Sequence, residues 1–319
     1  AVRGFAEADE CALGKEDQGS GRIEMQFFLS ARPFGCLLAA AMLLSVSAAG
    51  HAEVGATDGI SKIVRFGLTV RNPLDRAVQG ESLLVYAPAE TSNQRVVRLE
   101  ASHPYRLVTD GRGNQLMAFP IDSLAPHATM RVSVTATVEL ATVSPPATPG
   151  ADGVFLRSEP FIEADDPALR EMANRLKDAG EPDRFLDRVY EWVRRRIRYA
   201  GFVAEDLGAL SAFRTGQGDC SEYAYLVAAL SRAANVPARV MGGFVVPSNA
   251  VLKANEYHNW AEVYVDGRWQ LVDAQKGALR EPLPNYVSTR VVVRQGDDET
   301  RRFFHRYLSP GGVLKLEMD

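Results

Sequence analysis

Residues 256–274 read EYHNWAEVYVDGRWQLVDA, and this stretch decides the fold of the second half of the chain. Apolar and polar residues alternate on both sides of Asp266-Gly267, which is the strongest short signal for a two-residue β-hairpin turn. That turn places His258 and Asp273 on the same face as diagonal neighbours, roughly 7 Å apart at the backbone. A slip of one residue would send the carboxylate to the opposite face. The sequence therefore predicts a hairpin that unites an imidazole with a carboxylate.

A second stretch, residues 216–223, reads GQGDCSEY and introduces a helix. Apolar residues follow at helical spacing as far as Ala234, and Asn235 marks the end of the pattern. Asp219 is a suitable N-cap, so Cys220 is predicted to lie at the helix N-terminus. The free N–H groups there favour negative charge. We therefore expect a lowered pKa for the Cys220 thiol and a place for a developing oxyanion.

Cys220, His258 and Asp273 have the chemistry of a nucleophile, a general base and a residue that orients the base. An aspartate bonded to an imidazole fixes its tautomer, which leaves the other ring nitrogen free to take a thiol proton. Two alternatives stay open: each residue could be structural, or the three could bind a metal. A metal site would lack a fourth ligand and the paired spacing of common zinc sites. The sequence contains no Gly-x-Ser-x-Gly, phosphate-loop or dinucleotide motif.

Four segments agree in order and spacing: GDC at 218–220, NVPARV at 235–240, HNWAEV at 258–263 and WQLVD at 269–273. Together they resemble the transglutaminase-like superfamily, over roughly residues 155–285. The resemblance implies a papain-like Cys-His-Asp triad, with the cysteine on a helix and its partners on adjacent strands. No motif position is missing, so an active site is expected. Exported bacterial members also resemble the chain in a β-sandwich that precedes a stretch like residues 158–163.

The resemblance further implies an aromatic residue before the cysteine that helps to stabilise the oxyanion. Tyr199 is the match that we choose, and Gln217 is a second candidate. Tyr257 and Trp260 flank His258, so they either wall a substrate pocket or simply pack the sheet. No metal or other cofactor is predicted.

The fold class predicted is α+β: an N-terminal antiparallel β-sandwich, then a papain-like transglutaminase-like α+β domain. Short apolar runs separated by turn residues favour the sandwich, as does the alternating segment 130–140. A Pro-rich linker follows, and then a helical pattern begins. The predicted divisions are 1–24 (an upstream extension that is not native), 25–52 (signal peptide), 53–142 (sandwich), 143–152 (linker), 153–285 (catalytic domain) and 286–319 (C-terminal β extension).

Residues 25–52 have the order of a secretory signal, with a basic start, an uncharged apolar centre and small residues at the end. The apolar run is shorter than the roughly 20 residues that span a bilayer, although an uncleaved anchor is an alternative. Met25 is then the expected start. Cleavage would remove Cys11 and Cys36 and leave Cys220 unpaired. We therefore expect a periplasmic or secreted protein with no stable membrane span.

Two helices are predicted before the cysteine, the first beginning at Asp166-Pro167 and the second at Pro182. The far end of the second helix carries Arg194, Arg195, Arg196 and Arg198. This basic run indicates either an acidic partner or ordinary stabilising charge at a helix C-terminus.

The composition, 46% apolar and 24% charged with a net charge of -4, is that of a globular protein and argues against a nucleic-acid binder. We predict an exported cysteine-dependent enzyme that acts on amide or peptide bonds through a thioester, more as a protease or amidase than as a cross-linking enzyme. Its expected partner is a peptide or protein substrate. A non-catalytic envelope module that binds peptide or glycan is the alternative from a different class.

Overall fold

The computed structural model describes residues 59–110, 112–150, 153–178, 184–202, 206–292 and 306–319. The predicted upstream extension and signal peptide lie outside these residues. The fold class is confirmed as α+β with several antiparallel sheets.

The first part of the described chain forms two antiparallel layers. Its six strands are Gly59–Arg71 (β1), Val78–Tyr86 (β2), Gln94–Ala101 (β3), Arg106–Thr109 (β4), Gln115–Leu124 (β5) and Thr129–Ala141 (β6). One sheet contains β1, β6 and β3, and the other contains β2, β5 and β4. Apolar residues alternate with polar ones along β6. The apolar side chains at 132, 134, 136 and 138 are all buried, as the alternation predicts.

Four helices follow: Pro167–Asp178 (α1), Phe185–Arg196 (α2), Ala209–Thr215 (α3) and Cys220–Ala233 (α4). The backbone N–H of Ala168 donates to Asp166 Oδ1 at 2.9 Å, which confirms the predicted start of α1. The second predicted helix is present from Phe185 onward. Its predicted first residue, Pro182, lies outside the described ranges. α4 ends before Asn235, whose φ of 63° is the left-handed conformation typical after a helix.

The remaining strands are Arg198–Tyr199 (β7), Gln217–Gly218 (β8), Ala238–Val245 (β9), Ala250–Val251 (β10), Tyr257–Val265 (β11), Arg268–Asp273 (β12), Ala278–Leu279 (β13), Tyr286–Val292 (β14), Tyr307–Leu308 (β15) and Lys315–Met318 (β16). Short 3₁₀ turns cover Val154–Leu156, Ala254–Glu256 and Leu283–Asn285.

α4 is the central helix of the second part. It lies between the other three helices and a sheet whose strand order is β13-β12-β11-β9-β14. Every residue from Ser221 to Arg232 is buried, so neighbouring elements enclose the helix on all sides. The N-terminus of a rigid, buried helix is thereby fixed against the start of β11.

The segment predicted as a linker, 143–152, lies along the hairpin of β11 and β12 over its described residues. Ala147 N–H donates to Gly267 O at 2.9 Å, and Tyr264 Oη donates to Ala147 O at 2.8 Å. The C-terminal strands divide between sheets: β14 pairs with β9, whereas β15 and β16 pair with β2 and β1 of the N-terminal layers.

A buried lysine joins the N-terminal layers to the sheet of the second part. Lys62 on β1 is 3% exposed, and its Nζ donates to Val246 O at 2.6 Å and to Pro284 O at 2.5 Å. No helix within the described ranges is both long enough and apolar enough to cross a membrane.

Candidate active site

The hairpin forms as the dipeptide Asp266-Gly267 predicts. Val265 pairs with Arg268, and the two turn residues have φ values of 53° and 74°, the positive pair that a type I′ turn requires. The two residues that this register was expected to unite are His258 and Asp273.

The structure brings His258 and Asp273 together. His258 Nε2 lies 2.7 Å from Asp273 Oδ2, and the two residues are 4% and 2% exposed. Because Nε2 faces the carboxylate, Nδ1 is the ring nitrogen available to another group. A buried imidazole that is bonded to a buried carboxylate is fixed in its orientation and its tautomer.

Asp273 is itself held by two further donors that the sequence did not reveal. Tyr286 Oη donates to Asp273 Oδ2 at 2.9 Å, and the backbone N–H of Lys276 donates to Oδ1 at 2.9 Å. Tyr286 also packs edge-on against Trp260, with 5.1 Å between ring centroids. The carboxylate is therefore fixed in position by hydrogen-bond donors to both of its oxygens.

Cys220 is the first residue of α4, as predicted, and Asp219 caps the helix. Asp219 Oδ1 accepts from Ser221 N–H at 2.8 Å, while Glu222 Oε2 accepts from Asp219 N–H at 2.9 Å. This reciprocal pair is a capping box. A Cβ on Gly218 would collide with the side chain of Glu222, so this position needs a glycine for a tight approach.

Cys220 is a free cysteine that lines two neighbouring cavities, of about 450 Å³ and about 330 Å³. Tyr199, Asn255 and Tyr257 also line both. His258 lines only the smaller one, which we call the histidine-side cavity. The larger one, without His258, is the far-side cavity. The thiol thus lies at the junction of the two cavities, and it shares one of them with the imidazole.

The expected lowering of the Cys220 pKa is wrong. Burial of the thiol raises its pKa to about 12, and the charge of Asp219 raises it further in the same direction. A backbone N–H from Asn259 to the thiol acts in the opposite direction without outweighing burial. The helix N-terminus is visible in the sequence, whereas the desolvation of the thiol by packed neighbours is not. Cys220 is therefore a protonated thiol at rest.

Glu222 is a second perturbed group beside the thiol. Burial raises the pKa of this carboxyl to about 7, although it accepts N–H groups from Leu207 and Asp219. Its hydrogen bonds favour the charged form and its burial favours the neutral form.

The other predicted site residues differ in whether they reach the two cavities. Tyr199 is 52% exposed and lines both cavities beside Cys220, whereas Gln217 lines neither. Tyr257 lines both cavities, as expected of a pocket residue. Trp260 requires a correction: it is 2% exposed and packs in the sheet core, its ring 6.3 Å from that of His258. Trp260 shares a strand face with His258, but Tyr286 and the surrounding core residues cover its ring and keep it out of the cavity lining.

Tyr257 is held in the cleft by a buried cation that the sequence did not single out. Arg290 Nε donates to Tyr257 Oη at 3.2 Å, and Arg306 lies over the Tyr257 ring at 5.4 Å. A Cβ on Gly242 would collide with the same hydroxyl. The ring therefore forms a fixed wall of both cavities.

Comparison with known proteins agrees with this geometry. Residues 170–274 match the family model of the Transglutaminase-like superfamily. Residues 170–274 form a transglutaminase-like core. All three predicted triad residues lie within the matched range.

Solved structures similar to this chain include a protein named as a putative cysteine protease from Cytophaga hutchinsonii. That structure has 17% sequence identity and a TM-score of 0.53, over 82% of this chain and 92% of the other, and it supports the fold alone. The periplasmic domain of TgpA from Pseudomonas aeruginosa, bound to ethylmercury, matches more weakly. It has 20% identity and a TM-score of 0.33, over 66% of this chain and 89% of the other. No curated protein matches the chain.

Proposed function

We propose that the transglutaminase-like core is a cysteine-dependent acyl-transfer enzyme that acts on amide or peptide bonds. Cys220 is the nucleophile, His258 the general base and acid, and Asp273 the residue that orients the imidazole. The observation that carries this proposal is that the buried His258–Asp273 pair opens on the cavity that a free cysteine lines.

The proton balance follows from the state of the thiol. Because the Cys220 thiol is protonated at rest, its proton moves to His258 Nδ1 as the bond from Sγ to the substrate carbonyl forms. Asp273 stabilises the imidazolium. The imidazolium then protonates the leaving nitrogen as the C–N bond breaks, and a thioester remains.

Water completes the reaction by attacking the thioester. It gives one proton to His258 and releases a carboxylic acid, and the proton returns to Cys220. Hydrolysis is favoured over cross-linking, because water enters any open cavity of this size without a dedicated binding site. Cross-linking would need a substrate amine to enter the histidine-side cavity ahead of water.

Tyr199 is proposed to stabilise the oxyanion, since its side chain lines both cavities at the thiol. Tyr257 is proposed to bound the substrate pocket on the opposite side of the cleft.

The enzyme hypothesis is tested by comparing wild-type protein with Cys220→Ala. Each is incubated with a mixture of bacterial envelope peptides, and the products are identified by mass spectrometry. Cleaved peptides carrying one added water are expected with wild type and absent with the variant. Products joined with loss of ammonia would instead assign cross-linking. His127→Ala is the matched control, because His127 Nε2 also lies 2.8 Å from an aspartate, Asp75, but that pair is exposed. Identical products from wild type and Cys220→Ala would remove the proposal.

A non-catalytic peptide- or glycan-binding module is the second candidate, and the raised pKa of Cys220 is the observation that favours it. Labelling with iodoacetamide at mildly acidic pH separates the two. Labelling that depends on His258 favours the enzyme, because only a thiol that can pass on its proton reacts there. A thiol that stays inert in wild type as in His258→Ala favours the binding module.

Export to the periplasm or the medium is part of the proposal and is supported by the signal-like order of residues 25–52. N-terminal sequencing of protein expressed from its own promoter tests it. A new N-terminus near residue 50 or 53 is expected, and a peptide containing Cys11 would contradict it.

A further inference from the structure

Lys276 lines the histidine-side cavity together with one acid, Glu256, and further basic side chains lie on elements next to that cavity. The chain as a whole has a net charge of -4, yet the end of α2 and its neighbours concentrate cations. We call this set the basic flank: Arg194, Arg195, Arg196, Arg198, Arg214 and Lys276. These residues come from three different parts of the chain, so charge at the end of one helix does not account for the whole set.

Backbone pairing connects the basic flank directly to the nucleophile. Arg198 and Tyr199 form β7, which pairs in parallel with Gln217 and Gly218 just before the cap of α4. Arg198 N–H donates to Gly216 O at 2.9 Å. The end of α2 is thereby held against the loop that carries Cys220.

The second connection reaches the other side of the same cavity. A Cβ on Gly277 would collide with the Arg194 guanidinium, so that guanidinium lies against the loop that follows Asp273. Lys276, the preceding residue, lines the histidine-side cavity. The cations therefore extend from the surface of α2 to the lining of the cavity.

Acidic partners compensate only part of this charge. Arg195 lies 3.7 Å from Glu191 in an exposed pair, whereas Arg214 lies 3.9 Å from Asp166, whose side chain is only 18% exposed. An exposed pair contributes at most about 1 kcal/mol, so Glu191 holds Arg195 only weakly. Arg198 is exposed, and no ion pair is recorded for it within the described residues.

The position of His258 indicates whether the acyl half or the leaving half of a substrate lies next to the basic flank. In the proposed reaction the imidazole protonates the leaving nitrogen, so the leaving half of the substrate occupies the cavity that His258 lines. The acyl half then occupies the far-side cavity. We propose that the basic flank binds an acidic segment of a peptide substrate on the leaving-group side of the scissile bond.

This inference rests on the proposed function for its direction, but the binding itself can be measured without turnover. The probes are fluorescein-labelled hexaglutamate and hexaserine, with the full chain carrying Cys220→Ala. Tighter binding of hexaglutamate is expected, weakening as sodium chloride rises, because exposed charges are screened over about 8 Å at physiological ionic strength. Binding of both peptides with equal strength would overturn the proposal.

The site is located by paired neutralisations. Arg195→Gln with Arg198→Gln is expected to weaken hexaglutamate binding at least fivefold. Arg95→Gln with Arg98→Gln is the matched control on β3, where both side chains are 68% exposed, and it should leave binding unchanged. Equal losses in the two double variants would contradict the proposal. The proposal would also be contradicted if single-stranded DNA of similar charge bound as tightly as hexaglutamate and lost binding in the same arginine variant.

The direction is tested with peptides that share one cleavable bond and carry glutamates only before it or only after it. With wild type, the peptide that carries glutamates after the bond should have a lower KM than the peptide that carries them before it, and the two should have the same kcat. The variant Arg195→Gln with Arg198→Gln should show no such difference in KM. A preference for glutamates before the bond would overturn the assignment. If no peptide is cleaved, the proposed function fails, and the hexaglutamate measurement still decides whether the basic flank binds acidic peptide.

Discussion

At the scale of single residues, a charge beside Cys220 affects how readily its thiol ionises. Asp219 raises the Cys220 pKa by placing a negative charge next to a developing thiolate, although burial contributes more. Asparagine is as good an N-cap as aspartate, so Asp219→Asn should keep α4 intact and remove only the charge.

The pKa of Cys220 should therefore fall from about 12 in Asp219→Asn. A lower pKa means a larger thiolate fraction at any pH below it, and the rate of iodoacetamide labelling should rise several-fold at the same pH. The measurement is the labelling rate across pH 6–10 by mass spectrometry. Asp122→Asn, an exposed change on β5, should leave the profile in place. An unchanged or slower rate in Asp219→Asn, with unchanged circular dichroism, would show that the cap charge does not act on the thiol.

Tyr286 is the residue-scale test of how the triad is held. Tyr286→Phe removes one of the donors to Asp273 while keeping the ring that packs against Trp260. A hydrogen bond to a charged group contributes about 1.5 kcal/mol, so kcat/KM should fall about tenfold. The loss should lie in kcat, with a shifted pH profile, because the carboxylate governs the imidazole. Tyr264→Phe is the control, since its hydroxyl bonds Ala147 O away from the triad. Equal activity of both variants would assign Tyr286 to packing alone.

At the scale of elements, the hairpin of β11 and β12 is the part of the site that sequence reasoning could derive. The register depends on a two-residue turn and on alternation, and both are local. Gly267 has a φ of 74° with open space around it, so a side chain there meets backbone strain and no steric collision.

Gly267→Val should therefore destabilise the protein by about 1–2 kcal/mol, because a residue with a Cβ pays that cost in the left-handed region. Thermal unfolding followed by circular dichroism measures it. Asp266→Gly is the matched variant with the opposite expectation: a glycine adopts φ of 53° freely, so stability should stay the same or rise. A Gly267→Val protein as stable as wild type would mean that the turn changes type without cost.

The elements that sequence reasoning missed depend on distant pairing. Tyr286 begins β14, which pairs with β9 and lies three positions from β12 in the sheet, so nothing near Asp273 in the sequence announces it. Arg290 reaches Tyr257 from the same strand. The raised pKa of Cys220 differs from the sequence-based expectation for a related reason. The burial of the thiol depends on neighbours that are distant in the sequence.

At the scale of the whole molecule, one set of contacts links the N-terminal layers to the residues that precede Tyr286. Lys62 on β1 donates to Pro284 O and also to Asn285 Oδ1, at 3.3 Å. Those two residues directly precede Tyr286, which bonds Asp273. Two hydrogen-bonded contacts, joined by the short backbone segment 284–286, therefore connect the N-terminal sheet to the carboxylate that holds His258.

The N-terminal layers are thus more than a passive neighbour of the core. Phe244 of β9 and Val287 of β14 are buried in the same apolar cluster as Val64 and Leu83 of the N-terminal strands. Because the two parts share a core, we expect them to unfold together in one transition.

Lys62→Met tests this coupling. Methionine fills a similar volume but leaves buried acceptors such as Val246 O without a donor, at about 1–3 kcal/mol for each unsatisfied group. The melting temperature should fall by several degrees in a single transition, and kcat/KM should fall as the turn before Tyr286 loosens. Lys315→Met, on the exposed side of β16, should change neither quantity. If Lys62→Met melts earlier but keeps full activity below its transition, the layers stabilise the core without positioning Asp273. Two separate transitions would show that the shared apolar cluster does not couple the two parts.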